Sequence, residues 1–158
     1  MQFIKYTIIS ILLLLLGCVT APKTAQPFSE LSIPKPANNE VVIVVFRKFT
    51  PPVLSTLTLS INNKTIELPN EAYTWVKLPA GKIKLSVEYQ LIAMKSPTVI
   101  ENEFLGASTH YFEMTYTIES ATVIGSIVSL STWQDLKEVN ITDSINVLTE
   151  CCRYISAD

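Results

Sequence analysis

The stretch that restricts the fold most is Val41-Val42-Ile43-Val44-Val45-Phe46. It is apolar at both odd and even positions and β-branched almost throughout, and Pro51-Pro52 stops it soon afterwards. Successive residues of a strand point to opposite faces, so a strand apolar on both parities needs cover on both sides. It is too short for a buried helix. It therefore predicts a central strand inside a layered domain, beginning near Glu40.

The stretches that follow supply partners for it. Leu57, Leu59 and Ile61 alternate with Thr56, Thr58 and Ser60, a half-buried strand. Asn62-Asn63 suits a tight hairpin turn, because asparagine tolerates positive φ. Thr65–Leu68 would return with Ile66 and Leu68 inward. Tyr73 to Leu78 reads as a strand, and Leu78-Pro79-Ala80-Gly81 as a type I turn, with Pro second and Gly fourth. From Lys82 to Tyr89 the alternation is clean: Ile83, Leu85, Val87 and Tyr89 on one face, Lys82, Lys84, Ser86 and Glu88 on the other. One face belongs to a core and one to water. Further strands are predicted over Thr98–Phe104, over His110–Ile118 after a Gly106-Ala107-Ser108 turn, and over Trp133–Val139. Residues 121–131 are apolar and β-branched, with Gly125 read as a bulge or bend. The tail then changes period. Thr142 or Asp143 would cap a short helix with Ile145, Leu148 and Cys152 on one side. The expected fold class is all-β: an antiparallel β-sandwich of about seven strands with a short C-terminal helix, covering residues 40–158.

The N-terminus is of another kind. Lys5 precedes an apolar run from Tyr6 to Leu16, broken only by Thr7 and Ser10. The run is shorter than the ~20 residues a helix needs to span a bilayer, and Pro22 prevents its extension. It has the layout of a secretory signal. It ends in Leu15-Leu16-Gly17-Cys18, which resembles the lipobox of bacterial lipoproteins: aliphatic, tolerated aliphatic, small, then cysteine. The resemblance implies residues 1–17 as a signal peptide cut before Cys18. It also implies a diacylglyceryl group on the Cys18 thiol and an acyl group, such as palmitate, on the new amine. Val19, rather than Asp, leans towards the outer membrane, with the protein facing the periplasm. Each buried methylene contributes ~0.8 kcal/mol, so two or three chains would hold the protein firmly. Residues 18–39 carry Pro22, Pro27, Pro34 and Pro36 among Thr, Ser, Lys and Asn. That composition predicts a disordered, extended tether holding the domain off the lipid.

The chain carries a formal net charge of −2 and has no basic stretch, which leaves no footprint for nucleic acid. Of its 3 cysteines the lipid would take one, and Cys151-Cys152 are neighbours, which is neither a disulfide framework nor a metal spacing. Adjacent α-carbons lie ~3.8 Å apart, below the usual disulfide range. The expectation is that one cysteine packs and the other is incidental. The single histidine, His110, shares parity with Phe112 and Met114 and reads as a core-edge residue. Glu101 and Glu103 read as a solvated face. No phosphate loop or Gly-x-Ser-x-Gly elbow occurs. No catalytic residue and no metal or other cofactor is expected.

The β-branched opening strand, the Asn-Asn hairpin, and Tyr73 to Leu78 leading into Pro79-Ala80-Gly81-Lys82-Ile83-Lys84-Leu85 together resemble an uncharacterised family of bacterial lipoproteins. Leu148-Thr149-Glu150-Cys151-Cys152-Arg153 near the C-terminus fits the same group. The resemblance implies a PEGA-like sandwich of the immunoglobulin/transthyretin type and brings no known reaction. The functional expectation is a non-catalytic, lipid-anchored envelope protein, its sandwich binding or supporting another envelope protein. The alternative is a glycan- or peptidoglycan-binding module in which Tyr73 and Trp75, which share parity, form a stacking surface.

Overall fold

A computed structural model describes residues 20–49, 56–88, 98–124 and 127–157; of Glu88 and residues 116–134 it describes the backbone. The strands are β1 (Glu40–Arg47), β2 (Leu57–Ile61), β3 (Lys64–Leu68), β4 (Ala72–Pro79), β5 (Gly81–Glu88), β6 (Thr98–Phe104), β7 (Ser108–Ile124), β8 (Ile127–Val139) and β9 (Arg153–Tyr154). One helix, α1 (Ile141–Cys151), lies between β8 and β9. The chain is mostly β, in two sheets ordered β8-β7-β1-β4-β9 and β3-β2-β5-β6.

The sheets meet over one apolar core. Val41, Ile43 and Val45 of β1 contribute one parity to it, with Leu59, Ile61, Leu68, Ile83, Leu85 and Phe112. The other parity, Val42, Val44 and Phe46, forms a second cluster with Tyr73, Tyr111, Leu148 and Cys152. Both faces of β1 are thus covered, as its sequence requires. The β2–β3 hairpin turns at Asn62-Asn63, and Asn62 alone takes positive φ, at 52°. Its side-chain oxygen accepts from the Lys84 amide at 2.9 Å, fixing the turn to β5. Ile83, Leu85 and Val87 are buried while Lys82 and Lys84 are exposed. Glu101 and Glu103 are exposed on β6, opposite Lys84 and Lys82.

Several expectations need correction. The sandwich is not wholly antiparallel, because β1 pairs with β7, and β4 with β9, in parallel. The helix cap is Asn140, not Thr142 or Asp143; its side chain accepts from the Asp143 amide at 2.9 Å. Gly125 lies outside the described residues. On either side of it β7 and β8 pair as far as Ile124 with Ile127. This joins the expected His110–Ile118 and Trp133–Val139 strands into one long antiparallel ribbon. A register shift falls between Ile118 and Ser120.

The largest correction concerns the tether. From Thr20 onward it is not a disordered spacer but a strap laid over the outer face of the β1 sheet. Thr20 bridges to Asn70, and the Ala21 amide donates to the Asn70 carbonyl at 2.8 Å. Residues 25–28 then run beside the end of the chain: Tyr154 N donates to Gln26 O at 2.8 Å and Phe28 N to Cys152 O at 3.1 Å. Arg153 Nη1 donates to the Ala25 carbonyl at 2.9 Å. A 3-10 turn over Glu30–Ser32 follows, and Phe28 and Ile33, on either side of it, pack on the second cluster. At the opposite pole, Ala80 N donates to Asn39 O at 2.8 Å. Proline removes donors and restricts φ, but it does not stop a segment from docking when apolar residues punctuate it.

Candidate functional site

Leu15, Leu16, Gly17 and Cys18 lie outside the described residues. The structure locates where the chain emerges from them. Thr20 sits at the pole where β1 ends and β4 begins, since Asn70 lies two residues before Ala72 and Ala72 pairs with Arg47. Arg47 is buried there and donates from Nη1 to the Leu68 carbonyl at 3.2 Å. Lys48 pairs with Glu113 at 2.7 Å on the surface of the same pole.

Tyr73 and Trp75 do not form a stacking surface together. Tyr73 is fully buried, at 0 % exposure, because the strap and β9 cover it. Phe28 meets it edge-on at 5.3 Å and Tyr154 at 5.6 Å. Its hydroxyl is 3.0 Å from the Ser32 hydroxyl. Burial, foremost, holds the Tyr73 phenol above its ordinary pKa, so it remains a neutral donor in the cluster. Trp75 is half-buried and stacks on Tyr154, with ring centres 6.1 Å apart. Gln26, Ser32, Trp75 and Tyr154 line an open hollow of about 140 Å³. Small-molecule sites are usually ~300–1,000 Å³, so this hollow is too small to enclose a sugar. Sequence parity placed both rings on one face correctly. It gave no sign that the strap would bury that face.

A second cluster was not anticipated. His110 lies at the core edge, as its parity predicts, with its ring edge-on to Phe104 at 4.7 Å. Its Nδ1 is 2.6 Å from Glu138 Oε1 and its Nε2 is 2.9 Å from Ser108 Oγ. The connectivity is that of a Ser-His-carboxylate triad. The Ser108 hydroxyl is not dedicated to the ring. Ser108 Oγ lies 2.5 Å from the Leu105 carbonyl and donates to it, and the direction of its bond to His110 follows the ring's tautomer. The Glu138 side chain is also 45 % exposed, whereas a triad acid is buried to orient its histidine. The cluster instead fastens the start of β7 to the end of β8. In sequence, only the Ser-x-His spacing on one strand face hinted at it.

Cys151 and Cys152 are joined to each other as a vicinal disulfide at the end of α1, with Cys152 buried and Cys151 half-buried. This corrects the expectation of one packed and one incidental cysteine. Among the described residues, no group of three His, Cys, Asp or Glu side chains is placed to hold a metal ion.

No protein-family model matches this chain, and no curated relative matches it.

Proposed function

We propose that the protein is a non-catalytic lipoprotein of the bacterial envelope, held by acyl chains on Cys18, whose sandwich binds or supports another envelope protein. The observation that carries this reading is the Leu15-Leu16-Gly17-Cys18 sequence, closing an apolar run too short to span a bilayer and standing two residues ahead of Thr20, the first of the described residues. The resemblance of residues 40–154 to the PEGA-like lipoproteins supports it, as does the Val19 position for an outer-membrane, periplasm-facing address. Two residues reach at most ~7 Å, so the sandwich would sit directly on the bilayer and not at the end of a spacer. The exposed Glu138 and the solvated Glu101 and Glu103 speak for binding over catalysis. The glycan alternative loses Tyr73, one of its two rings, and keeps only the half-buried Trp75 beside Tyr154.

The test is metabolic labelling with radioactive palmitate. The wild-type chain is expected to take up label and sediment with membranes, and Cys18→Ser to do neither. An unlabelled, soluble wild-type product refutes the reading. Crosslinking in intact cells then identifies the component it contacts.

A further inference from the structure

The four-stranded sheet ends in an open edge along β6. The Asn62 amide donates to the Lys84 carbonyl at 2.8 Å, and the Lys84 amide donates to the Asn62 side chain at 2.9 Å. Lys84 therefore turns its backbone groups towards β2. Along a strand these groups alternate sides, so Ile83, Leu85 and Val87 turn theirs to β6, where they meet Asn102, Ile100 and Thr98. The N–H and C=O groups of Val99, Glu101 and Glu103 are left directed away from the sheet. β6 stands last in the strand order, and among the described residues no strand pairs with its outer side. Sheets normally guard such an edge with lysine, proline, a bulge or shortness. β6 runs for 7 residues without proline, in unbroken register with β5 from Thr98 to Phe104.

The side chains along this edge carry a sign. Residues directly opposite one another in an antiparallel pair share a face. Lys82 with Glu103, Lys84 with Glu101 and Ser86 with Val99 thus lie on one face of the sheet. The lysines form an inner column and the glutamates an outer one, which Val99 continues at 47 % exposure. Among the described residues Glu101 and Glu103 close no ion pair and no hydrogen bond, not even with the lysines across from them. A strand laid against β6 would bring alternate side chains beside these three residues. Basic side chains at two of them would continue the alternation of columns, and an apolar one would cover Val99. A second copy of this chain fits poorly. Two β6 strands paired antiparallel over their full length would set Glu101 against Glu101, and like charges directly opposite destabilise a pair.

Resting on the reading above that the sandwich binds another envelope protein, we propose that β6 takes that partner as an added antiparallel strand. The segment it fits is extended, with the order basic-x-basic-x-apolar set against Glu103, Glu101 and Val99. Main-chain bonds to the three outward-facing residues supply the attachment. The glutamate column supplies the choice, since it attracts a basic strand and repels an acidic one.

Two measurements on the chain from residue 18, carrying Cys18→Ser, test this. Amide exchange followed by NMR comes first. The Val99, Glu101 and Glu103 amides should exchange much faster than those of Ile100 and Asn102, which are bonded to β5. Equal protection of all five would mean that the edge is already covered, and overturns the proposal. The capped peptide Thr-Lys-Thr-Lys-Thr-Val-Thr is then titrated at low salt, beside a counterpart with glutamate in place of lysine. The lysine peptide should slow exchange at the three outward amides and bind at least about tenfold more tightly than its counterpart. Glu101→Gln with Glu103→Gln keeps the strand and should remove most of that preference. N-methylation of the peptide's Lys, Lys and Val amides should abolish binding, which distinguishes strand addition from charge attraction alone. No protection at millimolar lysine peptide, equal binding of the two peptides, or binding that survives N-methylation overturns the proposal. Palmitate labelling judges the lipoprotein reading separately, so an unlipidated chain and a closed β6 edge give different results.

Discussion

Gly106→Ala tests whether the strap is built into the domain. A β-carbon at Gly106 would stand 1.9 Å from the Asn38 carbonyl oxygen, 2.9 Å from its carbon and 3.2 Å from the Asn39 Cα. All three are backbone atoms, so no side-chain rotation relieves the clash. Carbon and oxygen keep apart by roughly 3.3 Å even in close C–H···O contacts, so the strap must retreat by more than ~1 Å. It is tied there by Ala107 N to Ala37 O at 3.1 Å, Ala107 N to Glu40 O at 2.8 Å and Ala80 N to Asn39 O at 2.8 Å. Losing two such bonds costs about 2–3 kcal/mol. Alanine also stiffens the unfolded chain and returns about 0.4–1 kcal/mol, leaving a net loss near 2 kcal/mol. Gly106 is not among the positive-φ residues, so the loss reports on contact and not on backbone conformation. Urea unfolding of the chain from residue 18, followed by tryptophan fluorescence, should show a midpoint lower by about 1 M for an m-value of ~2 kcal/mol/M. The adjacent Ala107 has φ 57°, and Ala107→Gly relieves that strain while loosening the unfolded chain, for a net change within ~0.5 kcal/mol. An unchanged midpoint for Gly106→Ala would mean that Asn38 does not lie against it, and the docked strap would be wrong.

Phe28→Ala removes the strap's edge-on contact with Tyr73; because Phe28 is only half-buried, the loss should be about 2 kcal/mol, less than for a full core position, and should lower Tm by about 6 °C in a calorimetric scan. Glu40 accepts from the Ala37 amide at 2.9 Å and lies 3.3 Å from Lys77, and the amide bond foremost holds its carboxyl below the usual range. The folded state therefore releases this proton more readily than the unfolded one, and the benefit present at neutral pH is lost as pH falls through the folded pKa. The protection factor of the Ala37 amide, its exchange relative to an unstructured amide at the same pH, should be higher at pH 6 than in acid below the folded pKa of Glu40, and Glu40→Gln should flatten that dependence. A fluorophosphonate probe should leave the wild-type chain unlabelled; labelling that Ser108→Ala abolishes would show an active serine and defeat the non-catalytic reading.

Where the pattern was local, the sequence could be read. The double parity of Val41–Phe46, the alternation of Lys82–Val87, the Asn62 turn and the spacing of Leu148 and Cys152 each depend on a few neighbouring residues, and each appears as expected except that Ser86, read on the water face, is buried. What escaped was non-local. Prolines dominate the average over residues 18–39, and that average hid Phe28 and Ile33, two apolar residues far enough apart to need a turn between them. Without the strap, Tyr73 looked available; with it, Tyr73 belongs to a core. The parallel pairings of β1 with β7 and of β4 with β9 leave no mark on strand composition. The long β7–β8 pairing escaped because residues 121–131 were read as one stretch with a bulge or bend, whereas Ile124 and Ile127 within it pair across two strands. The contacts of Ser108, His110 and Glu138 depend on β7–β8 register, which turn chemistry alone does not set.

The neighbours of β1 bear on how the protein reaches its fold. Val41 pairs with Leu78 on one side and Ser108 on the other, and Arg47 with Ala72 and Met114. The most apolar strand in the domain therefore has no early partner, and its outer cover waits for Leu148 and Cys152 near the chain's end. Topologies that depend on such distant contacts have high contact order and fold slowly. For a chain delivered from its N-terminus, the sandwich cannot close before its last strands have arrived. The same delay leaves Val41–Phe46 exposed until then, a β-branched segment without charge of the kind that aggregates. The strand order thus makes the most apolar segment of the domain the one that waits longest for its cover.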